Sequence, residues 1–537
     1  MRRACVKSLA AGALAPVFAF AAAAAQTAPL APIEQAALSK DAFSTGLLDR
    51  SEGALAPDLW RGSSASALEA LLNAAPARPA SPAIGAAMRR VLLSAGEAPA
   101  DARPSLGGAK LKALVSAGFL EAARSIESLA AGANSDPASI EAMASADLLT
   151  GEADSACSKA RRVTAGGDTA FWVKLRIICY ARANELDAAE LALGILKENG
   201  WASADDEAVF APLAAGARPK TALEPVDALQ LAAASAIGAP LAPGFLDRAS
   251  AGVVKSVAED ANRDWVLRLA AARRAASMGV MSAASLRALY AASGEAGAAY
   301  QEIRAMAAPE FIRDKAARIA GEIAAASGFE DLFAAAVLYA DDIRALEGAL
   351  MPAGDATQFA LARLAVGDAL GAERWLMSVA GEISAGAPED QTMRFIDMAG
   401  ILGVLEPSAA QRVAAAANIA PSPPLRSAGA VAGSSADLAF IVAAAIEAAS
   451  RGAKGEAALA ALAASGEASR GDPVAEAVTE KAFAAAGLDE IARRRAVEAA
   501  IVALYPDEAR AASETGDAPE SSTPSGIVPR LKPKRST

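Results

Sequence analysis

Three turn-forming residues, Gly118, Gly151 and Asn184, occupy the same position in three similar segments of the chain. The two intervals, 151−118 and 184−151, are both 33 residues, and a fixed period of this length is typical of stacked helical repeats. Apolar residues precede each turn residue, and an alanine follows five positions later. The spacing therefore predicts antiparallel helix pairs that are joined by tight turns. The three alanines are Ala123, Ala156 and Ala189.

The same unit returns later in the chain, at unequal spacing. Gly367, Gly452 and Gly487 are each followed by an alanine five residues later. Signals for β-strands are sparse, because period-two alternation of β-branched residues is rare and aromatic residues make up only 4% of the chain. We therefore expect an all-α fold, an α-solenoid of antiparallel helix pairs in which each pair packs on its neighbours.

Breaks in composition divide the chain into segments. Stretches rich in proline and glycine interrupt the helical pattern at Pro212–Pro225, at Gly238–Gly244 and at Pro421–Gly433. After Tyr505 the chain is rich in Ser, Thr, Pro and charge, a composition typical of disorder. The predicted segments are a signal peptide at 1–25, an irregular, loop-rich N-terminal lead-in at 26–108, helical repeats at 109–211, a helical array at 212–420, a C-terminal helical block at 434–505 and a disordered tail at 506–537.

The lead-in carries large apolar residues within a loop-like composition. Leu47, Leu48, Leu59 and Trp60 are flanked by glycine, aspartate and arginine. Apolar side chains of this size are usually removed from water in a folded chain. We expect them to dock the lead-in on the first repeats.

The first 25 residues have the pattern of a secretory signal peptide. Arg2, Arg3 and Lys7 give a basic start, and an uncharged run from Ser8 to Ala25 ends in small residues. We therefore expect an exported, periplasmic protein. Two alternatives stay open, a twin-arginine signal and an uncleaved N-terminal segment that anchors the chain. A lipoprotein is disfavoured, because Cys5 precedes the apolar run instead of following it.

The charge balance disfavours nucleic acid and anionic lipid as partners. Without the three basic residues of the signal, 51−3 = 48 basic residues face 62 acidic ones, a net charge of −14, and such a surface repels polyanions. Hydrophobic residues reach 54%, but much of this is alanine, the best helix former. The longest uncharged stretch after the signal, Ala228–Leu246, contains Pro240 and Pro243. We therefore expect no integral membrane domain after cleavage.

Several catalytic systems are excluded by composition. The chain has no histidine and three cysteines, so histidine-dependent nucleophiles and cysteine-based metal clusters cannot be built. A phosphate loop of the Walker type is also missing. Adjacent carboxylates, Asp205 with Asp206 and Asp341 with Asp342, are interpreted as solvated helix ends. We therefore predict no catalytic residues, no cofactor and no metal site.

Two cysteines are placed symmetrically about a predicted turn. Cys157 lies about ten residues before Gly166-Gly167, and Cys179 lies about eleven residues after it. Antiparallel helices would bring the two side chains opposite each other. In an oxidising compartment this arrangement favours a disulfide between adjacent repeats, with two separately buried thiols as the alternative.

The tryptophans are candidates for contact residues. Trp172, Trp265 and Trp375 fall inside helical patterns, which favours core packing. Trp201 follows the helix stop at Gly200 and is the candidate for an exposed contact.

Certain segments resemble a group of uncharacterised, exported, alanine-rich helical proteins of Gram-negative bacteria, some of which carry an "antifreeze" label. The resembling segments are Gly46–Asp49, Asp58–Gly62, Gly151–Cys157 and Phe171–Cys179. The 33-residue unit also resembles tetratricopeptide repeats, without their full Trp, Tyr and Pro pattern. The helical part is similar to that of soluble lytic transglycosylases, although we expect no catalytic domain after it. These resemblances imply a helical-repeat fold and supply no catalytic residue.

The sequence favours a non-enzymatic periplasmic scaffold that binds an envelope protein or a peptidoglycan-type polymer on a concave face. The alternative is a cell-wall lyase or hydrolase that uses a lone Glu or Asp. Ice binding, which the inherited label suggests, would require a flat and regular array of Thr or Ala, whereas these helices are rich in Arg and Glu.

Overall fold

All regular secondary structure in the described part of the chain is helical. The computed structural model describes residues 41–130, 132, 135–163, 167–420, 436–466 and 473–505. Within these ranges there are 25 α-helices, and the one isolated β-bridge joins Leu223 to Leu241. The predicted all-α fold is confirmed. The predicted signal peptide, the break at Pro421–Gly433 and the predicted tail lie outside the described residues.

The first nine helices build the region in which the 33-residue period is clearest. Several begin at a capping side chain or at a proline in the first helical position, as at Ser81 and Pro82 of the second helix. They are α1 (Ala65–Asn73), α2 (Pro82–Leu93), α3 (Pro104–Ser116), α4 (Leu120–Leu129), α5 (Pro137–Leu149), α6 (Ala153–Arg162), α7 (Ala170–Arg182), α8 (Leu186–Glu198) and α9 (Ala204–Ala214).

The remaining helices are more variable in length and are separated in places by short 3-10 turns. The next eight are α10 (Ala228–Ala236), α11 (Ala251–Glu259), α12 (Trp265–Ser277), α13 (Ala283–Ala292), α14 (Ala298–Ala305), α15 (Ile312–Ala324), α16 (Phe329–Leu338) and α17 (Ala340–Ala345). The last eight are α18 (Ala353–Ala365), α19 (Ala369–Ser384), α20 (Glu389–Leu405), α21 (Pro407–Ala416), α22 (Ala436–Ser450), α23 (Lys454–Ala464), α24 (Pro473–Ala485) and α25 (Asp489–Val502).

The three predicted turn residues share one backbone conformation. Gly118, Gly151 and Asn184 have φ of 85°, 80° and 61°, the left-handed region that glycine and asparagine adopt most readily. Each lies two residues after one helix ends and two residues before the next begins. The N–H of the residue after each turn donates to a carbonyl five positions back, which caps the first helix. These bonds join Phe119 to Leu114, Glu152 to Asp147 and Glu185 to Tyr180, at 2.9, 2.7 and 2.8 Å.

The alanine five residues after each turn lies in the contact between the two helices of a pair. Ala123, Ala156 and Ala189 are all 0% exposed. A side chain this small lets the second helix approach the first closely. The same arrangement returns at Gly367, Gly452 and Gly487, where φ is 78°, 71° and 78°. The predicted helix pairs are therefore present both early and late in the described chain.

The four apolar residues of the lead-in differ in burial, since Leu47 and Leu48 are only partly buried. Leu59 and Trp60 are 1% and 2% exposed, and the Trp60 ring centroid lies 4.9 Å from that of Phe43. One contact partner was not predicted. The N–H of Gly455 on α23 donates to the Leu59 carbonyl at 2.7 Å. The lead-in therefore packs on a late helix as well as on the early ones.

The early and late helices meet in what we call the N/C junction, formed by residues 58–63, α1 and α2 against α23 and α25. On the α25 side, the N–H of Ala83 donates to Glu498 Oε1 at 2.9 Å across 415 positions of sequence. In an open repeat stack each unit contacts only its neighbours. The N/C junction adds a contact that the solenoid prediction did not include.

In the described part of the chain, apolar packing forms one large core, one smaller core and a minor cluster at Ala464. The large one contains buried residues from Ala42 to Ile501, and the smaller one runs from Ala144 to Ala239 around α7 to α10. No helix in the described ranges is long and apolar enough to cross a membrane.

Candidate binding cleft

A cleft lies where α3, α5, α7 and α10 meet the proline-rich link at Ala77–Arg78 and the segment Arg248–Ser250. Its volume is about 490 Å³, within the range of roughly 300–1,000 Å³ that is usual for ligand sites. The two non-helical segments are joined to each other, since the N–H of Ala251 donates to the Ala77 carbonyl at 2.8 Å. The cleft is thus built by parts of the chain that are distant in sequence.

The floor of the cleft is apolar. Val115, Leu149 and Leu229 line it and are 2%, 5% and 5% exposed. Phe171, in the first turn of α7, is partly buried, and its ring packs edge-on to that of Trp172 at 4.9 Å between centroids. Phe171 therefore gives the cleft an aromatic surface that is supported by the Trp172 ring.

A solvent-exposed ion pair stands on one wall. Lys112 of α3 and Glu141 of α5 lie 3.5 Å apart, with side chains 59% and 25% exposed. An exposed pair of this kind contributes only about 0–1 kcal/mol to stability. The pair can therefore break, and each group can bind a ligand instead, with little loss of folding stability.

Lys174 of α7, also in the lining, is held much more firmly. Its Nζ lies 2.8 Å from Asp206 Oδ2, and the two side chains are 13% and 4% exposed. Burial acts to raise the pKa of Asp206, but hydrogen bonds from Lys174, Ser203 and Gln230 outweigh it and the pKa is lowered. The resulting carboxylate fixes Lys174 beside the cleft.

Asp227 is the carboxyl of the cleft with the opposite tendency. It caps α10 by accepting a hydrogen bond from the N–H of Gln230 at 2.8 Å. Burial raises its pKa, and this outweighs that hydrogen bond and the attraction of Lys174. Asp227 therefore takes up a proton more readily than an ordinary aspartate.

Two arginines complete the charged lining. Arg248, 50% exposed at its side chain, contacts Asp205 at 2.5 Å and Glu224 at 3.2 Å. Arg78 donates to the carbonyls of Leu246 and Ala249 at 2.9 and 2.7 Å. Together with Lys112 they place cations around an apolar floor, while Glu141 and Asp227 keep the lining mixed in charge.

The predicted cysteine pair involves α7, one of the helices that line this cleft. The structure joins Cys157 of α6 to Cys179 of α7 in a disulfide, with 5.6 Å between the Cα atoms. This distance is usual for a disulfide. Since α7 also carries Phe171 and Lys174, the bridge helps to fix the helix from which both project.

The predicted exposed contact at Trp201 is only partly available. The residue is intermediate in exposure and packs against the smaller core. Trp172 and Trp375 are buried at 1% and 2% exposure, as predicted. For Trp265 the prediction of core packing is wrong, because this residue is partly exposed. The Cζ atom of Arg268 lies over the Trp265 ring, 3.9 Å from the ring centroid.

The interpretation of the adjacent carboxylates as solvated helix ends is half correct. Both pairs lie in first turns, of α9 and of α17. One member of each is buried, however, since Asp206 and Asp342 are 3% and 4% exposed. Asp342 is held by Arg304 at 2.9 Å and by Lys315 at 2.7 Å, so a buried ion pair replaces the expected solvation.

Sequence reasoning did not identify the cleft. Its charged residues belong to no motif, and the one local signal is the spacing of Phe171 and Lys174 on one face of α7. Among the described residues, no group of three or more cysteines and carboxylates is placed to hold a metal ion. No family model, curated protein or solved structure matches the chain.

Proposed function

We propose that the protein is a non-enzymatic, periplasmic helical-repeat scaffold that holds a segment of another envelope protein in the cleft between α3, α5, α7 and α10. The observation that carries this proposal is the cleft of about 490 Å³ with an apolar floor and a charged rim. Protein segments present the same mixture of apolar and charged groups. The signal peptide predicted from the first residues is the reason to place it in the periplasm.

A protein segment fits these walls better than a sugar polymer does. Phe171 is the one aromatic residue in the described lining, whereas a polysaccharide would present hydroxyl-rich rings that need several aromatic faces and many hydrogen-bond partners. Lys112 and Arg248 can pair with carboxylates of a ligand, and Glu141 with a basic group. The disulfide ties α7 to its neighbour α6, and the Lys174–Asp206 pair ties α7 to α9, which reduces the ordering that binding requires.

Crosslinking in envelope extract tests the proposal. Mature wild-type protein is compared with Phe171→Ala and Lys112→Glu, which change the floor and the rim. Two controls lie outside the cleft lining: Phe311→Ala, at a residue 43% exposed, and Lys197→Glu, which breaks a Lys–Glu pair of 3.6 Å.

We expect one partner to crosslink to peptides of α3, α5 or α7. Its recovery should fall about tenfold or more, equivalent to about 1.4 kcal/mol, in the cleft variants and stay unchanged in the controls. Crosslinks that map elsewhere, or equal losses in all four folded variants, would refute the cleft as the binding site.

One observation favours a second candidate, a cell-wall lyase or hydrolase with a lone carboxyl. Asp227 lines the cleft and its pKa is raised by burial, a property of general acids. Purified protein is incubated with peptidoglycan and the soluble products are measured. Turnover that disappears in Asp227→Asn, while the variant remains folded, would replace the scaffold by the enzyme.

A further inference from the structure

A carboxyl group is buried at the N/C junction with incomplete hydrogen bonding. Glu498 of α25 is 5% exposed. Its Oε1 accepts the N–H of Ala83, the second residue of α2, and the Ser81 hydroxyl also contacts this carboxyl. Its Oε2 is buried without a hydrogen-bond partner. A charged carboxylate in such a place is costly, because one oxygen has lost its water and gained nothing.

The charges that act on Glu498 come from its own helix. Burial dominates and raises its pKa to about 7, against the opposing effects of Ser81, Arg494, Ala83 and Arg495. Charged groups also lie on the other helices that pack on α25. Some have partners of their own: Arg363 of α18 pairs with Glu347 and Asp368, and Glu330 and Asp331 of α16 pair with Arg274 and Arg273. On α2, Arg90 donates to the Gly53 carbonyl and Arg89 is exposed. Further charged residues are Asp355 on α18, Glu389, Asp390, Arg394 and Asp397 on α20, and Glu480 and Lys481 on α24.

We propose that protonated Glu498 holds α2 against α25, and that the N/C junction loosens when this carboxyl ionises. Opening the contact returns the group to water, where the ionised form is no longer penalised. Neutral Glu498 needs fewer partners and tolerates the apolar surroundings. The N/C junction is thus a pH-sensitive contact between the early and late helices, whatever the cleft binds.

The expected size follows from the two pKa values. The folded value of about 7 lies above the ordinary 4.5, so the stabilisation is fully present below pH 4.5 and is lost as the pH rises through 7. The difference of 2.5 units corresponds to a rise of roughly 300-fold in the opening equilibrium constant of the contact over this range. Lys110, whose pKa is lowered to about 7, acts only above that pH and in the opposite direction.

Hydrogen exchange at a series of pH values between 4.5 and 8 tests the proposal on the full chain, after correction for intrinsic exchange. The peptides compared are α2 and α25 at the N/C junction and α7 and α8 away from it. We expect protection of α2 and α25 to fall steeply with pH, and that of α7 and α8 to change little. In Glu498→Gln, which keeps the size and cannot ionise, the steep fall should disappear.

The matched control is Glu490→Gln, at an exposed residue of the same helix, which should behave as the wild type does. The proposal is overturned if Glu498→Gln keeps the wild-type pH dependence, or if the wild-type protein loses protection equally in all four helices. If Glu498→Gln fails to fold, the wild-type comparison between the two helix sets decides alone.

Discussion

Replacing Gly455 by alanine should destabilise the protein, although alanine is the better helix former. A Cβ at this position of α23 would overlap Cε3 of Trp60 and would lie 2.6 Å from the Leu59 carbonyl oxygen. Trp60 cannot move away, because it is 2% exposed and packed against Phe43. A Cβ on Gly96 would likewise come within 2.5 Å of its ring.

The sizes of the opposing contributions determine whether Gly455→Ala raises or lowers the unfolding free energy. Overpacking costs about 1–3 kcal/mol, and weakening the hydrogen bond from Gly455 to Leu59 costs about 1 kcal/mol more. Alanine returns at most about 1 kcal/mol through helix propensity. The net expectation for Gly455→Ala is a loss of about 1–3 kcal/mol of unfolding free energy.

Urea unfolding followed by far-UV circular dichroism measures this loss, and Gly194→Ala is the matched control. Gly194 lies inside α8, and no atom lies within 4 Å of the point that an alanine Cβ would occupy there, so the substitution should stabilise by about 0.5–1 kcal/mol. A Gly455→Ala variant as stable as wild type would contradict this expectation, and so would a shift of the urea midpoint in the same direction by both substitutions.

Three further outcomes are expected from the same unfolding assay. Asn184→Ala should lose about 1–2 kcal/mol, because alanine is strained at the left-handed φ of 61°, whereas Asn184→Gly should be close to neutral; equal losses would contradict this. Reducing the bridge between Cys157 and Cys179 should lower stability by about 3 kcal/mol, and peptide mapping that finds both thiols free in protein purified without reductant would remove the basis for it. Because Lys110 loses its proton in the folded state near pH 7 and in the unfolded state near 10.5, stability should rise between these values, and a wild-type slope that persists in Lys110→Met would exclude this cause.

The turns could be predicted because their backbone conformation restricts the residue type. A left-handed φ selects glycine or asparagine, so Gly118, Gly151 and Asn184 mark the helix pairs directly in the sequence. The alanine five residues after each turn could be predicted for a similar reason, since the close contact between the two helices limits the size of the side chain there. A structural restriction that acts at a single position can therefore be recognised from the residue type at that position in the sequence.

The cleft and the N/C junction left no such signal. The cleft draws its walls from residues between Ala77 and Ser250, and the ionic partners of Lys174 and Asp342 lie on other helices. At the N/C junction, Gly455 is required by the Trp60 ring. In a chain with 41 glycines and abundant alanine, one more small residue in a helix does not reveal what packs on it.

The contact between early and late helices can be tested most directly with an engineered disulfide. A Cβ at Gly62 would lie 4.0 Å from the Cβ of Ala453, inside the usual range of about 3.5–4.5 Å. The variant Gly62→Cys, Ala453→Cys is oxidised mildly under native conditions and, as a control, in denaturant, and is then mapped without reduction.

If the N/C junction exists, most molecules should form the new bridge under native conditions, while Cys157 and Cys179 keep theirs, and formation in denaturant should be far slower. The left-handed φ of 80° at Gly62 costs about 1–2 kcal/mol with a cysteine, which leaves the expectation unchanged. Two free thiols at positions 62 and 453 in folded, oxidised protein would contradict the account.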